Sequence, residues 1–143
     1  MIIKESEELI EFFRNEGISL TRPRIDIGML LLSMPQHRSS AEIIDMVKEG
    51  VPYASRATIY NTLNLFEEYG LIERLDVSSG KTIYDSNTDP HHHMYNEKTG
   101  DIMDLHLSSE MEEKVLKSLQ LKAPKKWREK IKNGKLHITL HIT

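Results

Sequence analysis

Apolar residues recur every three or four positions through the first half of the chain, which predicts four helices. Their sequences are KESEELIEFFRNE, RPRIDIGMLLLS, SAEIIDMVKEG and RATIYNTLNLFEEYG. Gly17 and Gly70 end the first and the last, and Pro35 ends the second because the residue before a proline avoids helical geometry. Ser39 and Glu42 match a capping box that opens the third helix.

After Gly70 the spacing of apolar residues changes from that of a helix to that of a strand. The segments LIERLDV and KTIYD flank a Ser-Ser-Gly turn and predict a β-hairpin. Several helices followed by a two-stranded wing is the order of a winged helix-turn-helix, whose fourth helix would enter the DNA major groove. The alternative is a small helical bundle with an appended hairpin that binds no nucleic acid.

The exposed face of the fourth helix favours DNA binding over that alternative. Hydroxyl, amide and Arg side chains read base edges and phosphates, whereas a merely solvated helix carries more Glu and Lys. The predicted face carries Ser55, Arg56, Thr58, Tyr60, Asn61, Thr62 and Asn64. Arg22, Arg24 and Arg38 add positive charge, and Asp26 is the one acidic residue between Gly17 and Ala41.

The second half predicts a hairpin, a helix and a final strand. The hairpin HHHMYNEKTGDIMDLHL turns between Asn96 and Gly100, and Ser109 with Glu112 forms a possible capping box for the helix. In KLHITLHIT, alternation predicts a half-buried strand over residues 136–142, and Trp127 is expected to be a packing anchor.

These elements predict an α+β fold with two domains. Residues 1–84 would form the winged-helix DNA-binding domain, with a hinge at about residues 83–87. Residues 85–143 would form a small α/β domain. It has too few elements for an independent core, so we expect it to be a dimerisation module.

Composition narrows the possible classes of protein. The 143 residues include no cysteine, so disulfides and thiolate metal sites are excluded. The formal net charge of −3 requires any DNA contact to use a local basic surface. No apolar run is long enough to span a membrane, and the N-terminus shows no export signal, so we expect a cytoplasmic protein.

The candidate chemistry lies in DSNTDPHHHMYNEKTGDIMD, from Asp85 to Asp104. In an extended strand, His91 and His93 point to one face and His92 to the other. Two imidazoles with nearby carboxylates suit a nitrogen–oxygen metal site, while a solvated polar hairpin is the alternative. A non-haem iron enzyme would use similar donors but needs an open substrate pocket, and we do not expect an enzyme.

Five segments together resemble the ferric uptake regulator (Fur) family. They are LTRPR, SMPQHRSSAEII, SRATIYNTLNLFEEYGLIERL, YDSNTDPHHHMYN and GDIMDL. The resemblance implies a dimeric, metal-dependent transcriptional repressor that binds an operator in double-stranded DNA. Within the family the chain most resembles the peroxide-sensing repressors, which carry Asp at the position of Asp85 and Asn after the tyrosine at the position of Asn61.

The resemblance also implies the site residues. The regulatory metal, Fe²⁺ or Mn²⁺ with Zn²⁺ as a further possibility, would be held by His37, Asp85, His91, His93 and Asp104. Hydrogen peroxide would oxidise His37 or His91 in the iron form, after which metal is lost and DNA is released. DNA contacts would come from Arg24, Ser55, Arg56, Thr58, Tyr60 and Asn61.

Other residues are given lesser roles or depart from the family. His106 is a possible accessory ligand, Asp89 a turn residue, and His137 and His141 are expected to be structural. Most members carry a structural zinc on two Cys-x-x-Cys pairs, and this cysteine-free chain cannot form that site. An iron-sensing or zinc-sensing member of the same family is the nearest alternative, since only the signal would differ.

Overall fold

The computed structural model describes residues 1–77 and 80–143 and divides the chain into two compact units. The first unit is Met1–Asp89 and the second is Pro90–Thr143. No helix within the described residues is both long enough and apolar enough to cross a membrane. Helices and two small sheets occur together, which confirms the predicted α+β class.

The described part of the first unit contains four helices and three strands. The helices are α1 (Ser6–Asn15), α2 (Arg22–Leu32), α3 (Ser40–Gly50) and α4 (Arg56–Glu68). The strands are β1 (His37–Ser39), β2 (Glu73–Asp76) and β3 (Thr82–Asp85).

Local sequence explains where these helices begin and end. The Ser39 hydroxyl accepts the Glu42 N–H and the Glu42 carboxylate accepts the Ser39 N–H, which is the predicted capping box of α3. Ser55 caps α4 in the same way, by accepting the Thr58 N–H at 3.1 Å. Gly70, after α4, has φ +69°, a left-handed conformation that glycine adopts without steric cost.

The core of the first unit lies where α1, α2 and α4 meet. Leu9 and Phe13 of α1, Ile27 of α2, and Ile59 and Phe66 of α4 are fully buried. Each such side chain contributes about 1.5–3 kcal/mol when it is removed from water. The apolar periodicity of α4 agrees with its buried face, whereas on α2 Ile25 and Met29 are only half-buried and Ile27 and Leu31 are buried instead.

The sheet of the first unit has three strands in the order β1-β3-β2, all antiparallel, whereas the sequence predicted two. The additional strand, β1, pairs with β3 and places His37 opposite Asp85. Three residues are too few to show the alternation typical of a strand. The extended conformation of β1 therefore depends on its pairing with β3 and could not be predicted from the local sequence. Of the predicted Ser-Ser-Gly turn, residues 78 and 79 lie outside the described residues.

The boundary between the units lies five residues later than the sequence predicted. Ser86 donates its hydroxyl to the Met34 carbonyl and accepts the Gln36 N–H, both at 2.9 Å, so it belongs to the first unit. The predicted hinge over residues 83–87 therefore falls on the end of β3 and on bonded backbone. The DNA-binding and dimerisation roles of the two units stay predictions.

The second unit contains three strands and two helices. They are β4 (His92–Asn96), β5 (Ile102–Leu105), α5 (Ser109–Lys122), α6 (Lys125–Asn133) and β6 (Thr139–Ile142). The strand order is β5-β4-β6, with β4 antiparallel to β5 and parallel to β6. The predicted hairpin turn from Asn96 to Gly100 is present, and Gly100 has φ +78°.

Three predictions for the second unit are corrected. Ser108, not Ser109, caps α5 by accepting the Met111 N–H, so Glu112 does not complete a capping box. Trp127 lies on α6 with 49% of its surface exposed and is not a packing anchor. The final strand is four residues long and all four are exposed, because alternation specifies an apolar face but not what covers it.

Candidate metal centre

The first candidate ligands, His37 and Asp85, face each other across β1 and β3. His37 Nε2 lies 3.1 Å from Asp85 Oδ2, and the Asp85 side chain is completely buried. The other carboxylate oxygen accepts the Asn87 N–H at 2.8 Å. Burying a carboxylate is costly unless it is paired, and these two contacts hold Asp85 in one orientation beside the imidazole.

The other three candidate ligands meet in the second unit. His93 pairs with Asp104 across β4 and β5, and the rings of His91 and His93 lie 4.4 Å apart. Asp104 Oδ1 is 3.2 Å from His91 Nε2 and 3.9 Å from His93 Nε2. Both histidines are buried and Asp104 is half-buried, so two buried imidazoles and one carboxylate converge here.

His92 points to the opposite face, as strand alternation predicts. Its Nδ1 accepts the Ile138 N–H at 3.2 Å, so its proton lies on Nε2, which donates to Glu112 Oε1 at 2.8 Å. The side chain is 1% exposed, and both ring nitrogens are used. His92 thus joins β4 to α5 and to the residue before β6.

The remaining candidates have different neighbours. The His106 ring lies 6.3 Å from that of His91, and the Asp89 N–H donates to Asn87 Oδ1 as in a turn. His141 Nδ1 lies 3.1 Å from Glu97 Oε1. His137 was expected to be only structural, but its Nε2 lies 3.1 Å from Nδ1 of the candidate ligand His93.

The predicted DNA-contacting residues lie on or near α4, with one exception on α2. Arg56, Tyr60 and Asn61 are exposed on α4. The hydroxyls of Ser55 and Thr58 lie 2.8 Å apart at the start of the helix, where Ser55 also serves as the cap. Thr62 was predicted to be on the exposed face but is 2% exposed, since it lies on the side of α4 that faces the core.

Near the start of α2, the basic surface is partly neutralised by Asp26. Arg24 donates from Nη1 to the Ser19 carbonyl at 2.6 Å. Asp26 Oδ2 accepts a hydrogen bond from Arg22 Nε at 2.7 Å and another from the Tyr53 hydroxyl. The Tyr53 bond, and then Arg22, hold the pKa of Asp26 below its usual value. Sequence reasoning missed the Tyr53 contact, which joins segments that are distant in the chain.

The nitrogen and oxygen donors suit a divalent transition metal that is neither very hard nor very soft. Within the second unit, one ligand atom each from His91, His93 and Asp104 lies within 4.8 Å of the others. Imidazole nitrogen and carboxylate oxygen suit Fe²⁺, Mn²⁺ and Zn²⁺, and the chain has no thiolate to select a softer ion. The residues present therefore fit such an ion.

Comparison with known proteins shows the family to which the chain belongs. The sequence profile described as the ferric uptake regulator family matches residues 15–139. The chain belongs to this family. The resemblance noted in the sequence is thereby confirmed, and the family consists of regulators, so the alternative of a non-haem iron enzyme is excluded.

The chain is also similar to individual members of the family, in sequence and in fold. The chain is 35% identical over 102 residues to the peroxide-responsive repressor PerR of Staphylococcus epidermidis, which covers 71% of this chain and 68% of that protein. The ferric uptake regulator of Pseudomonas aeruginosa with manganese superposes with a TM-score of 0.69 at 22% identity, over 93% of this chain and 95% of that one. The Campylobacter jejuni peroxide stress regulator gives 0.64 at 23%, over 98% and 96%. At these identities the two structures show the shared fold.

Proposed function

We propose that the chain is a metal-dependent, DNA-binding transcriptional repressor that senses hydrogen peroxide. The observation that carries the proposal is the convergence of the buried His91 and His93 with Asp104 in the second unit, with the His37–Asp85 pair at the end of the first. The similarity to a peroxide-responsive repressor supports it.

The first step of the proposal is that one ion binds both sets of donors. Asp85 and His91 are six residues apart, so the chain between them spans at most about 20 Å. Each set alone offers too few protein donors to fill a five- or six-coordinate shell. An ion bound by all five residues would hold the two units in one orientation and favour the state that binds DNA.

The second step is DNA recognition by a homodimer. Arg56, Tyr60 and Asn61 of α4 would contact the major groove, with Ser55 and Thr58 at the start of that helix and Arg24 on α2. Two copies would match two half-sites in an operator. A repressor of this kind acts on DNA in the cytoplasm, where we expect the protein.

The third step is the signal. If Fe²⁺ were bound by these residues, it would promote cleavage of hydrogen peroxide beside them. One peroxide oxygen would add to a ring carbon of His37 or His91 in place of its hydrogen, and the other would leave as water, so that the imidazole loses the two electrons that the peroxide gains. An oxidised imidazole is a poorer metal ligand. The units would then lose their common ion, and DNA would be released.

The experiment is a DNA-binding titration that compares metals and peroxide. The probe is a duplex selected from a random pool by the Mn²⁺-loaded protein, and binding is followed by fluorescence anisotropy. Mn²⁺ should raise DNA affinity about 5- to 150-fold. Peroxide should abolish binding of the Fe²⁺ form but not of the Mn²⁺ form, with one added oxygen on His37 or His91 by mass spectrometry.

The outcome of the titration also separates the nearest alternative. Binding that follows Fe²⁺ or Zn²⁺ concentration and survives peroxide, with unmodified histidines, would indicate an iron- or zinc-sensing member of the family. That result would contradict the peroxide proposal while leaving the metal site in place.

Asp104→Asn tests the metal site directly, because it keeps the size of the side chain and removes its charge. We expect the variant to bind Mn²⁺ at least about tenfold more weakly. Loss of a residue that only hydrogen-bonds to a metal ligand already lowers metal affinity by about that factor. Asp101→Asn is the matched control, since Asp101 lies on the same hairpin and bonds to the Thr99 hydroxyl. Equal Mn²⁺ affinity of the two variants, measured by calorimetry, would contradict the site.

A further inference from the structure

The segment that leads into β6 is bonded directly to the histidines of β4. The His93 N–H donates to the Ile138 carbonyl at 2.9 Å, and the Ile138 N–H donates to His92 Nδ1 at 3.2 Å. The third contact joins two side chains, His93 Nδ1 and His137 Nε2, at 3.1 Å. Their rings meet edge to face with centroids 5.3 Å apart.

The direction of this third bond follows from the chemistry of imidazole. The nitrogen of His93 that faces Asp104 is Nε2, at 3.9 Å from Oδ1, so Nε2 is the atom available to a metal. A neutral imidazole that binds through Nε2 carries its proton on Nδ1. The His93 Nδ1–H then donates to His137 Nε2, and His137 keeps its own proton on Nδ1.

We propose that His137 is a positioning residue of the metal centre, which fixes the ring orientation and tautomer of His93. The proposal rests on the proposed function, in which His93 is a ligand. Metal-bound histidines generally donate their second ring N–H to such a partner, and loss of that partner weakens metal binding.

The same contact makes the last strand part of the metal centre. In the parallel register His93 lies beside Thr139, so His137 belongs to the face of the sheet that carries His93 and Asp104. An ion that holds His93 in place thereby also favours the ordered position of residues 137–138. By linkage, order in that segment strengthens metal binding by the same factor.

A structural role alone would have a different signature. His137 is exposed as a whole and is absent from the buried core, so its replacement should change the stability of the metal-free protein little. A positioning role predicts a change in metal affinity at nearly constant stability, together with dependence on a hydrogen-bond acceptor at position 137.

The test compares His137→Leu with His137→Gln, whose amide oxygen can still accept the His93 N–H. His137→Leu should bind Mn²⁺ about 10- to 100-fold more weakly than the wild type by calorimetry, and His137→Gln should recover most of the loss. His141→Leu is the matched control, since it removes a histidine of β6 that bonds to Glu97, and it should stay within about twofold of the wild type.

Failure of this proposal can be distinguished from failure of the metal site itself. If His93→Ala binds Mn²⁺ as well as the wild type, the proposed function is wrong. If His93→Ala loses binding while His137→Leu retains it, or if Leu and Gln at position 137 weaken binding equally, the positioning role is wrong.

Hydrogen exchange of the wild-type protein gives an independent measurement that needs no variant. Mn²⁺ should increase protection of the amides of residues 137–138. Unchanged protection at saturating Mn²⁺ would overturn the coupling between the metal centre and the last strand, even if a position-137 variant fails to fold.

Discussion

The carboxylate of Asp26 accepts hydrogen bonds from Arg22, one helical turn away, and from Tyr53, in the turn before α4. The bond to Tyr53 lowers the pKa of Asp26 and raises the pKa of the Tyr53 phenol, because it favours the ionised acid and the protonated phenol together. Three side chains at the edge of the proposed DNA surface thus form one group. Arg22 therefore adds less net charge there than the sequence suggests.

This group predicts a pH-dependent contribution to stability. A carboxyl whose pKa is lowered in the folded state stabilises the fold above its usual pKa of 3.8, and the contribution is lost as the pH falls through the lowered value. Tyr53→Phe should therefore slightly reduce the urea midpoint at pH 7, and the difference from wild type should vanish in acid. Tyr60→Phe, on another exposed tyrosine, is the control. A difference independent of pH would contradict the role of Asp26.

At the scale of elements, Gly28 sets the distance between α1, α2 and α4. A Cβ at this position would collide with Leu9 Cδ2 and lie 3.2 Å from Phe66 Cζ. Leu9 and Phe66 are fully buried, so neither can move into solvent. Glycine is used here for close packing between helices, at some cost in helix propensity.

Gly28→Ala should destabilise the first unit although alanine is the better helix former. Overpacking costs about 1–3 kcal/mol, against about 1 kcal/mol regained from helix propensity. Net losses of up to about 2 kcal/mol in urea unfolding follow from these two effects.

Leu9→Ala provides the control for this packing argument. It removes the colliding methyl group at its own cost of about 2–5 kcal/mol. The double variant should therefore be less destabilised than the sum of the single ones. Strict additivity would contradict the proposed collision.

At the scale of the whole molecule, the second unit carries an exposed apolar row on the face of its sheet opposite to His93 and Asp104. Met103, Met94 and Leu140 lie side by side across β5, β4 and β6. Met103 is 57% exposed and Leu140 46%, and a cavity of about 300 Å³ lies against this face. An apolar row of this kind is typical of a protein–protein interface, which supports the proposed homodimer.

Leu140→Lys should weaken this dimer, because it places a charge at the β6 end of the apolar row. We expect the dimer dissociation constant to rise at least about tenfold, since an uncompensated charge at an interface costs more than 1.4 kcal/mol. Sedimentation velocity over a concentration series measures it. Met34→Lys, at an exposed apolar position in the first unit, should leave the constant unchanged. Equal effects of the two substitutions would place the interface elsewhere.

The elements that local chemistry specifies could be predicted from the sequence alone. Serine caps, glycines after helices and apolar periodicity located α1 to α4, and alternation located both hairpins. The directions of His91, His92 and His93 also followed from the period of a strand. These features depend on residues within a few positions of one another, so one sequence suffices to find them.

The pairing of distant segments, in contrast, could not be predicted from the sequence and is seen in the folded chain. β1 exists because it pairs with β3, and the contact of His137 with His93 exists because β6 lies parallel to β4. Tyr53 meets Asp26 for the same reason, that the fold brings their segments together. Pairing across the chain leaves no local period in the sequence. Strand pairing is stabilised by backbone hydrogen bonds, in which every residue can accept and every residue except proline can donate.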